Sequence, residues 1–385
     1  MSSEASCKIF IITGELSGDL YGSLLIKRIK EVNAAFQFVG VGGPKMRSLG
    51  IDILFSAEPL ALVGLPNLSE LKKYWFVYKK IKEFLAKKLV DAVVLVDFPG
   101  FNLKIAKLAK EMGYPVIYYI APQVWAWHKR RIKILKKYVD RLYVVLPFEK
   151  EFFNSYEIPA IFLGHPILDL IKVNLSKEML FEIYGLDEEK PILSFFPGSR
   201  EKEIQRHVPQ FLKIYRMVKE KVPEVQGIMV KALGLKDSFI WEGAKKEIKV
   251  VENTQYEILK YSTAALLASG TITLEAAIIG TPAVVTYFLP YWMMSLAKRL
   301  VKVPFISLPN LILGKEVYPE IVGFRKTQEE IIVHRLIELL KDRTKQERIK
   351  RDLEGLKRLL GAPGASWRIA EDMVRYLMSL KRKVS

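Results

Sequence analysis

The chain of 385 residues is long enough for two domains, and with 50% hydrophobic and 11% aromatic residues it can bury a sizeable core. A formal net charge of +18 favours an anionic partner: nucleic acid, an acidic membrane surface or a phosphorylated substrate. One cysteine, Cys7, and four scattered histidines exclude an internal disulfide and a cysteine-rich metal site, and show no metal-ligand spacing.

The N-terminal "MSSEASCKIFIITGELSGD" has too short an apolar run for a secretory signal, and acids stand where a cleavage site belongs, so a cytoplasmic chain is expected. "KIFIIT" (Lys8–Thr13) predicts the first strand. In the "TGELSGD" that follows, Glu15 and Asp19 share a face if helical; one can bind a substrate hydroxyl while the other caps. "FQFVGVG" (Phe36–Gly42) predicts the second strand. Between Asn67 and Leu89, Leu68, Leu71, Trp75, Tyr78, Ile81 and Leu85 recur at spacings of three and four, with seven lysines against two glutamates. That pattern fits an interfacial membrane helix, and equally a surface helix packed on a sheet.

"AVVLVD" (Ala92–Asp97) predicts a third strand. Asp97 stands at its end and Asn102 follows shortly; a strand-end aspartate is a natural general base, or a cap for the next helix. "PVIYYI" (Pro115–Ile120) and "RLYVVL" (Arg141–Leu146) bracket "APQVWAWHKRRIKILKK", where Trp125 and Trp127 precede Arg130, Arg131 and further basic residues. Aromatic plus basic suits nucleic acid, membrane headgroups or a phosphorylated ligand, and also a solvated basic helix behind core tryptophans.

After a seam near "FLGHPILDLI" (Phe162–Ile171) the strand–helix alternation restarts with "PILSFFP", "GIMVKA", "IKVV", "AALLA" and "AVVTYF". Continuous apolar strands between helices predict parallel sheets covered on both faces. The expected organisation is therefore two doubly wound α/β domains, 1–166 and 167–345, followed by C-terminal helices, 346–385, that can return to the first.

In such sheets ligands sit beyond the carboxyl ends of the strands. In "FFPGSREKEIQRH", Gly198 permits a tight turn, Ser199 can cap and Arg200 can grip phosphate oxygens. In "LLASGTITLEAA", Ser269 or Thr271 can cap a helix entered through Gly270, making an anion site. Glu275 then lies about 6 Å further along the helix, which suits a carboxylate reaching a ribose diol; alternatively it only favours the helix dipole. The uncharged run Ala276–Ala297 has the length of a membrane span, but Gly280-Thr281-Pro282 and Pro290 cut it, and "PAVVTYF" reads as a buried strand. Phe288–Lys302 adds an aromatic, Met-rich and basic patch. Neither phosphate candidate is a Walker A or a G-x-G-x-x-G sequence.

Taken together, "TGELSGDLYG", "VGVGGPKM", "VDFPGFN", "APQVWAWHKRRIK", "LPFEKEFF", "FLGHPILD", "FPGSREKEI", "LLASGTITLEAA" and "LAKRLVKVPFISLPNLILGKEVYPE" resemble the lipid-A-disaccharide synthase family. The resemblance implies two Rossmann-like domains facing across a cleft, the GT-B type. It implies an inverting glycosyltransferase joining UDP-2,3-diacylglucosamine to 2,3-diacylglucosamine 1-phosphate through a β-1,6 linkage, with release of UDP. It further implies a peripheral enzyme of the inner face of the cytoplasmic membrane, with no cofactor or metal; a second copy of the chain is a candidate partner.

On that reading Asp97 is the first candidate base and Glu15 the second, and Arg200 stabilises the leaving group. Gly198, Ser199, Arg200, Ser269, Gly270, Thr271, Glu275 and Asn310 hold UDP. Asn102, Trp125, Trp127, Arg130, Arg131, Trp75 and Tyr78 serve the acceptor and membrane. Two positions depart from the family: Gly100 replaces an acid of some members, and "IVGF" (Ile321–Phe324) replaces the Leu-Gln that often follows "YPE". The competing readings are another UDP-sugar enzyme of the same fold, such as a 2-epimerase, or a basic RNA-binding protein.

Overall fold

The computed structural model describes residues 6–14, 16–56, 68–125, 130–288, 303–323 and 326–384. Strands and helices alternate from the start: β1 (Cys7–Ile12), α1 (Leu16–Val32), β2 (Phe36–Gly42), α2 (Pro44–Arg47), β3 (Asp52–Ser56), α3 (Leu68–Ala86), β4 (Ala92–Val96), α4 (Pro99–Glu111), β5 (Val116–Tyr119), α5 (Arg130–Tyr138), β6 (Arg141–Val144), α6 (Pro147–Asn154) and β7 (Ala160–Phe162). The strands form one parallel sheet in the order β3-β2-β1-β4-β5-β6-β7. Every residue of β4 is fully buried, as expected of a central strand with helices on both faces.

The series then repeats: α7 (Lys177–Tyr184), β8 (Ile192–Phe196), α8 (Glu201–Lys221), β9 (Gln226–Val230), α9 (Phe239–Lys245), β10 (Lys249–Val251), α10 (Gln255–Tyr261), β11 (Ala264–Ala268), α11 (Thr271–Ile279), β12 (Ala283–Tyr287), α12 (Leu308–Leu313), β13 (Glu320–Val322), α13 (Lys326–Lys341), α14 (Arg343–Leu360) and α15 (Ala365–Val384). The second sheet, also parallel, runs β10-β9-β8-β11-β12-β13.

The chain divides into two compact units, Met1–Asp169 with Leu360–Ser385, and Leu170–Leu359. The segment expected to begin at 346 is thus split: α14 belongs to the second unit, whereas α15 completes the first and packs on α1. Asp169 fixes the entry to α15 by accepting hydrogen bonds from the backbone N–H groups of Gly364 (2.5 Å) and Ser366 (2.7 Å) and from the Ser366 hydroxyl (2.6 Å). Further along α15, Asp372 accepts from Arg141 and from the Tyr143 hydroxyl (2.7 Å) on β6.

Among the described residues no helix is long and apolar enough to cross a membrane. The stretch of spanning length is interrupted as expected: α11 stops at Gly280, whose φ is +93°, and β12 follows as a buried central strand. The patch Phe288–Lys302 lies mostly outside the described residues. On α3 the buried face is Tyr74, Val77, Ile81 and Leu85, while Leu71, Trp75 and Phe76 are exposed. Among the described side chains the expected stripe shares Ile81 and Leu85 with this face; its Trp75 side points to solvent, and Tyr78 is half-buried.

Candidate functional site

In the first sheet the strand order reverses between β1 and β4, so the crevice outside their carboxyl ends is where a ligand belongs. Thr13-Gly14 ends β1 and Asp97-Phe98 ends β4. Glu15 lies outside the described residues. Asp19 is buried and caps α2, accepting from the N–H groups of Gly43 (2.7 Å), Lys45 (2.8 Å) and Met46 (3.2 Å).

Asp97 and Phe98 have φ of +47° and +51°, and Ile120, at the end of neighbouring β5, has +62°. Left-handed backbone costs about 1–3 kcal/mol outside glycine, and such strain collects at functional sites. Here hydrogen bonds hold it. The Asp97 carbonyl accepts from Asn102 Nδ2 (2.8 Å) and from the Tyr118 hydroxyl (2.6 Å), and Asn102 Nδ2 also donates to the Val96 carbonyl (3.1 Å). Asn102 is fully buried. Its amide nitrogen therefore anchors the turn that presents Asp97, while its buried Oδ1 has no hydrogen-bond partner among the described residues.

Two further side chains act on this strand end. Glu149 on α6 is buried and accepts from Trp125 Nε1 (3.0 Å) and from the backbone N–H groups of Leu146 (3.0 Å) and Val145 (3.2 Å). Burial pushes its carboxyl up to about 7; the three donors pull it down and the charge of Asp97 pushes it up. Trp125, half-buried, is thereby fixed beyond β5. Arg131 on α5 is also half-buried; burial lowers its pKa and the Tyr118 phenol opposes that. Arg130 is exposed, and Trp127 lies outside the described residues.

The second sheet reverses between β8 and β11. Gly198, after β8, has φ of +118°, and a Cβ there would lie 2.6 Å from Glu203 Oε2, so the turn requires glycine. Glu203 accepts from the Ser199 N–H (3.3 Å), Arg200 Nη1 (3.1 Å) and the Tyr287 hydroxyl (3.1 Å). His207 links the ends of β8 and β12: its Nδ1–H donates to the Pro197 carbonyl (2.6 Å) and its Nε2 accepts from the Phe288 N–H (3.2 Å). Both nitrogens are used by a neutral ring, and burial lowers its pKa.

After β11 the expected caps are rearranged. Gly270 occupies the N-cap of α11 without a side-chain cap, while the Ser269 hydroxyl donates to the Ile306 carbonyl (2.8 Å). Likewise Arg200, rather than Ser199, sits at the N-cap of α8. Thr271 is exposed at the helix start, leaving the backbone there open to an anion. Glu275 is half-buried, and burial alone pushes its carboxyl up to about 7.

Asn310 is held by its neighbours in the chain. It is fully buried; its Oδ1 accepts from the N–H groups of Val317 (2.8 Å) and Tyr318 (3.0 Å), and its Nδ2 donates to the Tyr318 carbonyl (2.8 Å) and Glu320 Oε1 (2.8 Å). Every polar atom of the amide is hydrogen-bonded within the protein, so it shapes the loop. Glu320, which the sequence reading did not single out, gathers that loop. It also accepts from the Ile306 N–H (2.7 Å), the Ser307 N–H (2.9 Å) and the Ser307 hydroxyl (2.6 Å).

The family model described as lipid-A-disaccharide synthetase matches residues 9–362, nearly the whole chain and both strand-end constellations. The chain belongs to that family. A lipid-A-disaccharide synthase of Trichlorobacter lovleyi is 36% identical over 370 residues, 94% of this chain and 96% of the relative. Members of the family are glycosyltransferases, and the chain is one. Among solved structures, UDP-GlcNAc 2-epimerase from Neisseria meningitidis bound to UDP-GlcNAc is similar with a TM-score of 0.67 at 12% identity, over 96% of this chain and 100% of that one. CalG4, the calicheamicin glycosyltransferase, is similar with a TM-score of 0.58 at 15% identity, over 97% and 98%. At those identities the likeness is of fold, the GT-B type; family membership favours the transferase over the epimerase and RNA-binding readings.

Proposed function

We propose that the chain transfers the sugar of UDP-2,3-diacylglucosamine to the 6-hydroxyl of 2,3-diacylglucosamine 1-phosphate, forming a β-1,6 linkage and releasing UDP. Glu275 carries the reading. It is a carboxylate one turn inside a helix that starts at the switch point, and it has no hydrogen bond or ion pair among the described residues. A half-buried, unpartnered carboxylate is costly unless a ligand satisfies it. A ribose diol supplies two donors at that position while the diphosphate meets the N-terminus of α11.

Asp97 takes the proton of the 6-hydroxyl as the oxygen attacks the anomeric carbon opposite the diphosphate. The bond from that carbon to the phosphate oxygen breaks, and UDP leaves with the electron pair. Charge growing on the diphosphate is met by Arg200 and the backbone N–H groups at the start of α11. Glu15 remains the second candidate base. The exposed Leu71, Trp75 and Phe76 among the lysines of α3 support docking on the anionic cytoplasmic face of the membrane.

The test supplies both lipids in detergent micelles, follows UDP release and weighs the product. Disaccharide 1-phosphate formed in step with UDP supports the reading. UDP release without disaccharide, or no turnover with both lipids present, overturns it.

A further inference from the structure

We propose that Glu203 is a positioning residue for the transfer, holding the guanidinium of Arg200 so that it is aimed before the diphosphate arrives. This deepens the function proposed above and rests on its reading of Arg200 as the group that meets the diphosphate.

The two side chains differ in freedom. Glu203 lies in the first turn of α8, where Arg200 is the N-cap, and its side chain is 12% exposed against 44% for Arg200. Arginine is among the side chains with most rotamer freedom to lose when it is ordered. The carboxylate is already fixed: it accepts from the Ser199 N–H (3.3 Å) and the Tyr287 hydroxyl (3.1 Å) as well as from Arg200 Nη1 (3.1 Å). An ion pair between two exposed side chains contributes little, but here the inner partner is braced by two other donors.

The brace is built into the strand-end edge of the second sheet. Gly198 leaves the space that the carboxylate fills, since a Cβ there would lie 2.6 Å from Glu203 Oε2. Tyr287 ends β12, and its ring is met edge-on by His207 at 5.1 Å. The sheet runs β8-β11-β12, so the Glu203–Tyr287 bond spans β11, the strand that leads into α11. Arg200 is thereby tied to the same edge as the backbone N–H groups at the start of α11, where the diphosphate is proposed to sit. A carboxylate near that position also repels an anion. If repulsion were the larger effect, removing Glu203 would tighten UDP, and the experiment reads the sign.

Wild type, Glu203→Ala, Arg200→Ala and the double variant form a cycle, read by calorimetry with UDP and with uridine, which lacks the phosphates. General damage weakens both ligands alike, whereas a misaimed Arg200 weakens only UDP. Arg200→Ala is expected to lower the ratio of UDP to uridine affinity roughly 10- to 100-fold, the strength of hydrogen bonds to a charged group. Glu203→Ala lowers it on the order of 10-fold when Arg200 is present and less than about 2-fold once Arg200 is gone, as coupled neighbours do. In transfer kinetics Glu203→Ala lowers kcat and leaves the acceptor KM unchanged, because leaving-group charge is largest in the transition state. Independent effects in the double variant, or an unchanged or raised ratio in folded Glu203→Ala, overturn the proposal; a raised ratio shows that Glu203 competes for Arg200. An unchanged ratio in Arg200→Ala overturns it together with the role of Arg200. If Glu203→Ala does not fold, Glu203→Gln is read in the same cycle. Absence of transfer by wild type with both lipids refutes the proposed reaction, while the UDP-to-uridine cycle still judges Glu203.

Discussion

A Cβ added to Gly14 would lie 2.0 Å from Cγ of Phe98, so the turn after β1 and the turn after β4 touch through a glycine and a ring. Phe98 is the residue next to Asp97, and both have left-handed φ. Gly14→Ala must displace the ring and with it the aspartate turn. We expect kcat to fall on the order of 10-fold or more through misplacement, with UDP affinity unchanged because none of the residues proposed for UDP lies in this turn. Steady-state kinetics beside UDP calorimetry check this; a normal kcat would mean the turn tolerates the shift.

Replacing Asp97 by Asn keeps size and hydrogen bonding but removes basicity. A loss of about 10²–10⁴ in kcat is expected, with little change in UDP binding. Glu15→Gln is the comparison. If that variant is dead while Asp97→Asn is near normal, Glu15 is the base.

Glu275 gives a pH dependence with a definite sign. Its folded carboxyl titrates at about 7 against an ordinary value of 4.5, so between those values the folded state holds a proton that the unfolded chain has released. Its contribution to stability therefore declines as pH rises from about 4.5 to about 7 and is level above. Glu275→Gln removes that slope in melting temperature. The ionised form accepts a diol best, so UDP affinity should strengthen through the upper part of the same window in wild type more than in Glu275→Gln. Glu275→Ala should weaken UDP by roughly 1.5–3 kcal/mol at pH 8. Equal affinity in a folded variant would remove Glu275 from the ribose.

On α3, Trp75 is 53% and Phe76 56% exposed. Serine at Trp75 and Tyr78, with Phe76→Ser added, should release the enzyme from anionic vesicles in sedimentation and leave UDP binding intact. Retained sedimentation would assign this face to a contact between copies of the chain.

Central strands were legible because continuous apolar runs such as "AVVLV" and "AALLA" admit few other fates between helices. Of the four edge strands only β10 was, through "IKVV". β3, β7 and β13 each border one neighbour only, contain half-exposed positions and lack the uninterrupted apolar signature. The residues at strand ends became candidates for the same reason the strands were legible. The carboxylates that brace them left no local pattern: Glu149 meets Trp125 across 24 positions, and Glu320 meets Ile306 across 14. Asn310 stands in a distinctive motif, but its hydrogen bonds to the backbone of Val317 and Tyr318 and to Glu320 left no local pattern either.

The closure of the first unit by α15 has a consequence for biosynthesis. Asp169 and its partner Gly364 are 195 positions apart, and the whole second unit lies between them. During translation the second unit emerges complete while the first still lacks its last helix. Until Val384 clears the ribosome, the face of α1 that receives α15 has no cover, and nascent first units are exposed to aggregation for the time needed to synthesise the intervening residues. Slowing elongation in that stretch would lengthen the chain's dependence on chaperones, although no residue of either strand-end site would have changed.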